Sequence, residues 1–159
     1  MQDRIKIGIS HGDVNGISYE VIIKTFMDNR MNEICTPVIY GSPKVVAYHR
    51  KALNIDDFTP TSILSADEAR SKRVYVINCV DEQIRVELGK STKSAGIASF
   101  RALKAATDDL KEGKIDALVT GPVNKLNMQH DDFNYNGHTE YLQTRFDAGE
   151  VMMLMVSDL

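Results

Sequence analysis

A chain of 159 residues, 43% apolar and 26% charged, has the size and make-up of one globular domain, which excludes a disordered or fibrous polypeptide. The net charge of −3 and the lack of a basic run argue against a nucleic-acid partner, because a phosphate-backbone binder carries a basic face. No apolar run approaches ~18 residues, so neither a membrane span nor a signal peptide is expected, and the cytoplasm is the expected compartment.

Alternation of Ile5, Ile7 and Ile9 with Lys6 and Gly8 predicts a first strand over 4–10. A loop of two glycines with Asp13 and Asn15 follows, and Ser18 is the expected N-cap of a helix ending at Phe26 or Met27. A buried strand over 36–41 leads to Ser42-Pro43, an N-cap with proline at the first helical position. That helix runs to about Leu53 with Val45, Val46, His49 and Leu53 inward. Ser65-Ala66-Asp67-Glu68 reads as a capping box, and the β-branched run over 73–80 as a strand.

The polar connection over 81–93 contains a possible short strand over 84–88. The longest helix is expected over 94–112, with Gly96, Phe100, Leu103, Ala106 and Leu110 in one stripe and Gly113 as its stop. A buried strand over 115–120, a helix from Thr139 or Glu140 to Ala148, and a last apolar strand over 151–156 complete the series. Met152, Met153 and Met155 are expected as core filler, and Cys35 and Cys79 as buried free thiols of a reducing compartment. Strands apolar on both faces that alternate with helices predict an α/β fold. Its architecture is a three-layer α/β/α sandwich around a mostly parallel sheet.

The stretch from Ala117 to Tyr141 carries the candidate chemistry. Thr120-Gly121-Pro122-Val123-Asn124-Lys125 leaves the carboxyl end of a strand, where α/β proteins bind ligands. Lys125 could hold a phosphate or carboxylate, serve as an acid or base, or be an ordinary surface lysine. Gly137-His138-Thr139-Glu140 places an imidazole and a hydroxyl at the mouth of a helix, where an anion is favoured. The bland alternative is that Thr139 caps the helix and His138 is incidental. Gly12-Asp13-Val14-Asn15-Gly16 is either a tight turn needing glycine or an anion-contacting loop; it is neither G-x-G-x-x-G nor a Walker motif. His130 beside Asp131-Asp132 has no partner spacing that would fix a metal, and His49 reads as structural.

Together, Leu118-Val119-Thr120-Gly121-Pro122-Val123-Asn124-Lys125, Gly137-His138-Thr139-Glu140 and Val151-Met152-Met153-Leu154 resemble the 4-hydroxythreonine-4-phosphate dehydrogenase family of vitamin B6 biosynthesis. The opening loop matches in register and departs at Val14, Ser18 and Tyr19. The resemblance implies a subunit similar to isopropylmalate and isocitrate dehydrogenases, of which this chain would be a truncated, N-terminal part. It implies NAD- and divalent-metal-dependent oxidation, with decarboxylation, of 4-phosphohydroxy-L-threonine by a homodimer. His138 and Thr139 match the family's substrate-contacting pair, and Lys125 its TGP-V-x-K lysine, with a catalytic role open. No metal ligand is expected in this chain, since the family's ligands fall beyond Leu159, and the isolated chain is expected to be inactive. Two other readings remain: a relative oxidising another phosphorylated hydroxy acid, such as a four-carbon sugar-acid phosphate, and a non-catalytic module that binds an anion or dimerises.

Overall fold

A computed structural model of the chain describes residues 4–70, 72–130 and 132–157. Its centre is a sheet of the strands β1 (Lys6–Ser10), β2 (Thr36–Gly41), β3 (Thr61–Ile63), β4 (Tyr75–Asn78) and β5 (Ala117–Thr120). They lie in the order β3-β4-β2-β1-β5, and every pairing is parallel. The helices are α1 (Ser18–Phe26), α2 (Met31–Ile34), α3 (Pro43–Ala52), α4 (Lys93–Lys111), α5 (Lys125–Met128) and α6 (His138–Arg145).

Side chains alternate across a strand, and the two faces of this sheet bury different layers. Ile9, Ile39 and Val76 share one face with Tyr19, Ile22, Ile23 and Phe26 of α1 and Val45 and Val46 of α3. Val38, Tyr40 and Tyr75 share the other with Ala102 and Ala106 of α4. Each fully buried large side chain contributes roughly 1.5–3 kcal/mol, so neither face could be left uncovered. The three-layer α/β/α reading therefore holds.

Strand order places the site. The chain steps outward from β1 to β2 and on to β4, then crosses through α4 to lay β5 on the opposite side of β1. The loops leaving β1 and β5 thus diverge at a topological switch point, where open α/β sheets leave a crevice.

Local signals account for most element ends. Ser42 Oγ accepts a hydrogen bond from Val45 N and Pro43 is the first helical residue. Ser65 and Glu68 form the expected capping box on a 3-10 turn over Ala66–Glu68. Thr92 caps α4, and Gly113 beyond its end has φ of 72°.

Several expectations are corrected. Ile17 occupies the N-cap position of α1, and Ser18 is instead a buried first helical residue. Residues 84–88 form no strand: Ile84 N donates to Asp81 O in a turn, and Glu87 N is drawn to Asn15 Oδ1, with Gly89 N just beyond bonded to Asn15 O. The apolar run over 151–156 is also not a strand; Met152, Met153 and Met155 are exposed rather than core filler. A strand apolar on both faces needs neighbours on its edges and layers above and below. The far edge of β5 has no strand beside it among the described residues. The last helix ends at Arg145, not Ala148. Cys35 is buried, whereas Cys79 is only partly so, with burial pushing its thiol up to about 12. The short elements β3, α2 and α5 were not anticipated. No described helix is long and apolar enough to cross a membrane.

Candidate active site

The β5 loop is built by local hydrogen bonding. Gly121 N donates to Ser10 O at 2.9 Å, which closes the β5 exit against the β1 exit. Asp13 N donates to Pro122 O at 2.8 Å, so the two loops are joined by backbone. Side chains are excluded where they meet. A Cβ on Gly12 would overlap Pro122 O and lie 2.8 Å from Ser18 Oγ, and φ at Gly12 is 72°. Glycine is needed there on both counts. The Asp13 carboxylate accepts from Asn15 N at 2.9 Å, so it closes the turn itself. These contacts favour the tight-turn reading of the Gly12–Gly16 loop.

Asn124, a residue not singled out from the sequence, caps α5: its Oδ1 accepts from Leu126 N at 3.0 Å and Asn127 N at 3.4 Å. The signal was an Asn immediately before a short helical run. The cap places Lys125 as the first residue of α5, exposed, and among the described residues Lys125 forms no ion pair.

The structure brings Lys125 to His138. A Cβ on Gly137 would stand 3.9 Å from Lys125 Cε and 3.7 Å from Glu140 Oε2, so the lysine stem runs along the start of α6. His138 is the first residue of α6 and half-buried, and its Nε2 is buried without a hydrogen-bond partner. Such an orphaned atom costs free energy in the free protein and is satisfied when a ligand supplies its partner. Burial lowers the His138 pKa below its ordinary 6.5, and the Lys125 ammonium pushes it the same way. The imidazole is therefore neutral near pH 7, one nitrogen a donor and the other an acceptor. Thr139 follows, half-buried, and does not cap the helix, since Gly137 holds that position.

This platform is carried by aromatic packing. Phe100 of α4 meets Phe133 at 5.2 Å and Tyr141 at 5.8 Å, and Tyr135 meets Tyr141 at 5.4 Å. Arg145 at the far end of α6 pairs with Asp108 of α4. Replacing Lys125 with glutamine should raise the His138 pKa toward its ordinary value while burial keeps it below; an NMR titration of the ring reads this directly. A His138 pKa unchanged in Lys125→Gln would show that the two groups do not interact.

Among the described residues no three His, Cys, Asp or Glu side chains lie together as a metal site. Asp131, named above with His130 and Asp132, lies outside the described residues. A surface cavity of about 390 Å³ between the 81–87 segment and α4, lined by Ile84, Arg85, Ser94, Ile97 and Arg101, contains none of Lys125, His138 and Thr139.

Known proteins resemble this chain along nearly all of it. It is 47% identical to a 4-hydroxythreonine-4-phosphate dehydrogenase of Bacteroides thetaiotaomicron over 99% of this chain and 43% of that protein. It is 30% identical to a Clostridium botulinum protein provisionally named D-threonate 4-phosphate dehydrogenase, over 93% of this chain and 45% of the other. The crystal structure of a 4-hydroxythreonine-4-phosphate dehydrogenase from Burkholderia phymatum superposes with a TM-score of 0.86 at 28% identity, covering 97% of this chain and 47% of that one. The chain thus spans about half the length of the relatives it matches. Residues 33–159, which include β5, Lys125 and His138, match the family of pyridoxal phosphate biosynthetic protein PdxA, and the chain belongs to that family.

Proposed function

We propose that this segment forms the substrate-facing part of a dehydrogenase that oxidises 4-phosphohydroxy-L-threonine, with decarboxylation, on the route to pyridoxal 5'-phosphate. In this reading it is the N-terminal part of a longer α/β/α subunit that works as a cytoplasmic homodimer. The observation that carries the proposal is the buried, unpartnered Nε2 of His138 beside the ammonium of Lys125. The sequence resemblance supports it.

In this reading the Lys125 ammonium attracts the anionic substrate, while His138 gives one directional hydrogen bond to a substrate oxygen and Thr139 adds a hydroxyl. Fixing the reacting hydroxyl against its acceptor accounts for much of such catalysis. NAD, when bound, accepts the hydride. The divalent metal finds no donor set among the described residues.

A second reading is oxidation of a four-carbon sugar-acid phosphate. It is favoured by the Clostridium relative and by the departures from the family pattern at Ser18 and Tyr19. Turnover of the two phosphorylated acids, by a protein of the relatives' full length that carries this segment, separates the readings: the first predicts preference for phosphohydroxythreonine. The 159-residue chain alone should turn over neither with NAD and a divalent metal, and turnover by it would contradict the division of the site.

A further inference from the structure

Beneath the β1 loop lies a stack of three rings that the proposed reaction does not use. His11 and Tyr19 stack with centroids 5.2 Å apart, and Tyr19 and His49 with centroids 5.0 Å apart. Each ring comes from a different segment: the end of β1, α1 and α3. Two of the three also fasten the loop or a neighbour of it. His49 Nε2 donates to Val14 O at 2.8 Å, and Tyr19 Oη accepts from Ser42 N at 3.1 Å. The stack leaves no slack at β2, since a Cβ on Gly41 would overlap Tyr19 Oη and approach His11 Cδ2 to 3.1 Å.

His11 is the exposed weakness of this arrangement in the chemical sense, although it is wholly buried. Neither of its ring nitrogens makes a hydrogen bond. The backbone of Ala98 and Gly12 faces it outside bonding geometry, and Ser99 Oγ of α4 donates to Gly12 O at 2.6 Å beside it. The titratable neighbours are His49 on α3, which opposes a charge on His11, and Tyr19 on α1. Behind them, Glu20 acts on His49 and Cys79 on Tyr19. A cation at His11 would have no carboxylate among these immediate neighbours.

We infer that the His11–Tyr19–His49 stack is an acid-sensitive latch: neutral His11 holds the Gly12–Gly16 loop against Pro122, and its protonation expels the ring and frees both loops. The consequence follows from position. His11 is covalently next to Gly12, and Asp13 N is the donor to Pro122 O, the bond that joins this loop to the β5 loop leading to Lys125. His49 is a positioning residue, since its bond to Val14 O survives protonation. Burial holds the His11 pKa at about 4 against an ordinary 6.5. The open form therefore binds the proton more readily than the closed one. Closure is fully favoured above pH 6.5 and is weakened as pH falls from there toward 4, by roughly a hundredfold in the opening equilibrium.

Hydrogen exchange of the purified chain at pH 7.5 and pH 4.5, corrected for intrinsic rates, tests this. Protection over 11–17 and 121–124 should fall at pH 4.5 while β2 and β4 stay protected. His11→Phe, which keeps the stacked ring and cannot titrate, should abolish the acid opening; His49→Gln, which keeps a donor to Val14 O, should retain it. Equal acid opening in His11→Phe, or loss of β2 and β4 protection in step with the loop, would overturn the inference. Should His11→Phe not fold, the His11 ring resonance of the unaltered chain decides. A change that coincides with loop opening supports the latch, and smooth titration near 6.5 with the loop still protected refutes it.

Discussion

Gly96→Ala should lower stability by about 1–3 kcal/mol and unseat α5, despite replacing glycine in a helix interior. By helix propensity alone the change should stabilise by about 1 kcal/mol. The structure reverses the sign. A Cβ on Gly96 would overlap the Asn127 carbonyl carbon and oxygen and lie 2.9 Å from Met128 N. These are backbone atoms of α5, so no rotamer change relieves the clash, and α5 must move away from α4. Lys125 opens α5 and moves with it, which should also raise the His138 pKa as the ammonium withdraws. Urea unfolding gives the first effect and an NMR titration of His138 the second. Gly137→Ala is the control: its nearest heavy atoms are 3.7 and 3.9 Å from the added carbon, an ordinary contact, and its φ of 177° is extended backbone open to any residue. It should be tolerated, and a loss equal to that of Gly96→Ala would show that the helix crossing is not the cause.

His138→Ala, in a protein of the relatives' full length, should lower kcat/KM by roughly 10–100-fold, the worth of one hydrogen bond to a charged partner at about 1.5–3 kcal/mol. Metal affinity should survive, because His138 has no companion donors among the described residues with which to form a metal site. Stability should change little or rise, because the variant removes a buried nitrogen that has no partner. Calorimetric metal titration beside steady-state kinetics separates these outcomes. Loss of metal affinity together with the fall in kcat/KM would assign His138 to the metal instead.

The parallel α/β architecture was legible because β1, β2, β4 and β5 are short, largely apolar runs that alternate with helical segments, β1 and β5 lead into glycine-bearing turns, and β2 ends on glycine. Ser42-Pro43, the Ser65 capping box and Gly113 fix helix ends through their own side chains or backbone angle, so sequence suffices there. It does not suffice at Ser18, where packing against Gly12 and Gly121 overrides capping propensity. Residues 84–88 have a strand's composition, yet Asn15, some seventy positions earlier, claims the Glu87 amide. The run over 151–156 has the composition of a central strand but no strand beside it among the described residues. At the site, Lys125 and His138 were visible as residue types at loop ends. Their proximity was not, because it depends on the Asn124 cap and on the aromatic packing of Phe100, Phe133 and Tyr141 that folds α6 back toward α5. The Tyr19 that departs from the family pattern turned out to be the middle of a buried stack.

The most direct test of the substrate-facing reading follows the His138 ring by NMR while 4-phosphohydroxy-L-threonine is titrated into a full-length protein carrying this segment, with inorganic phosphate as the comparison. An anionic substrate within reach should satisfy Nε2 and raise the depressed pKa, since an opposite charge nearby favours the protonated imidazole. A His138 shift that saturates in step with calorimetric binding is expected, with an upward pKa change larger than phosphate alone produces. Calorimetric binding of the substrate with the His138 resonance and pKa unchanged would contradict it.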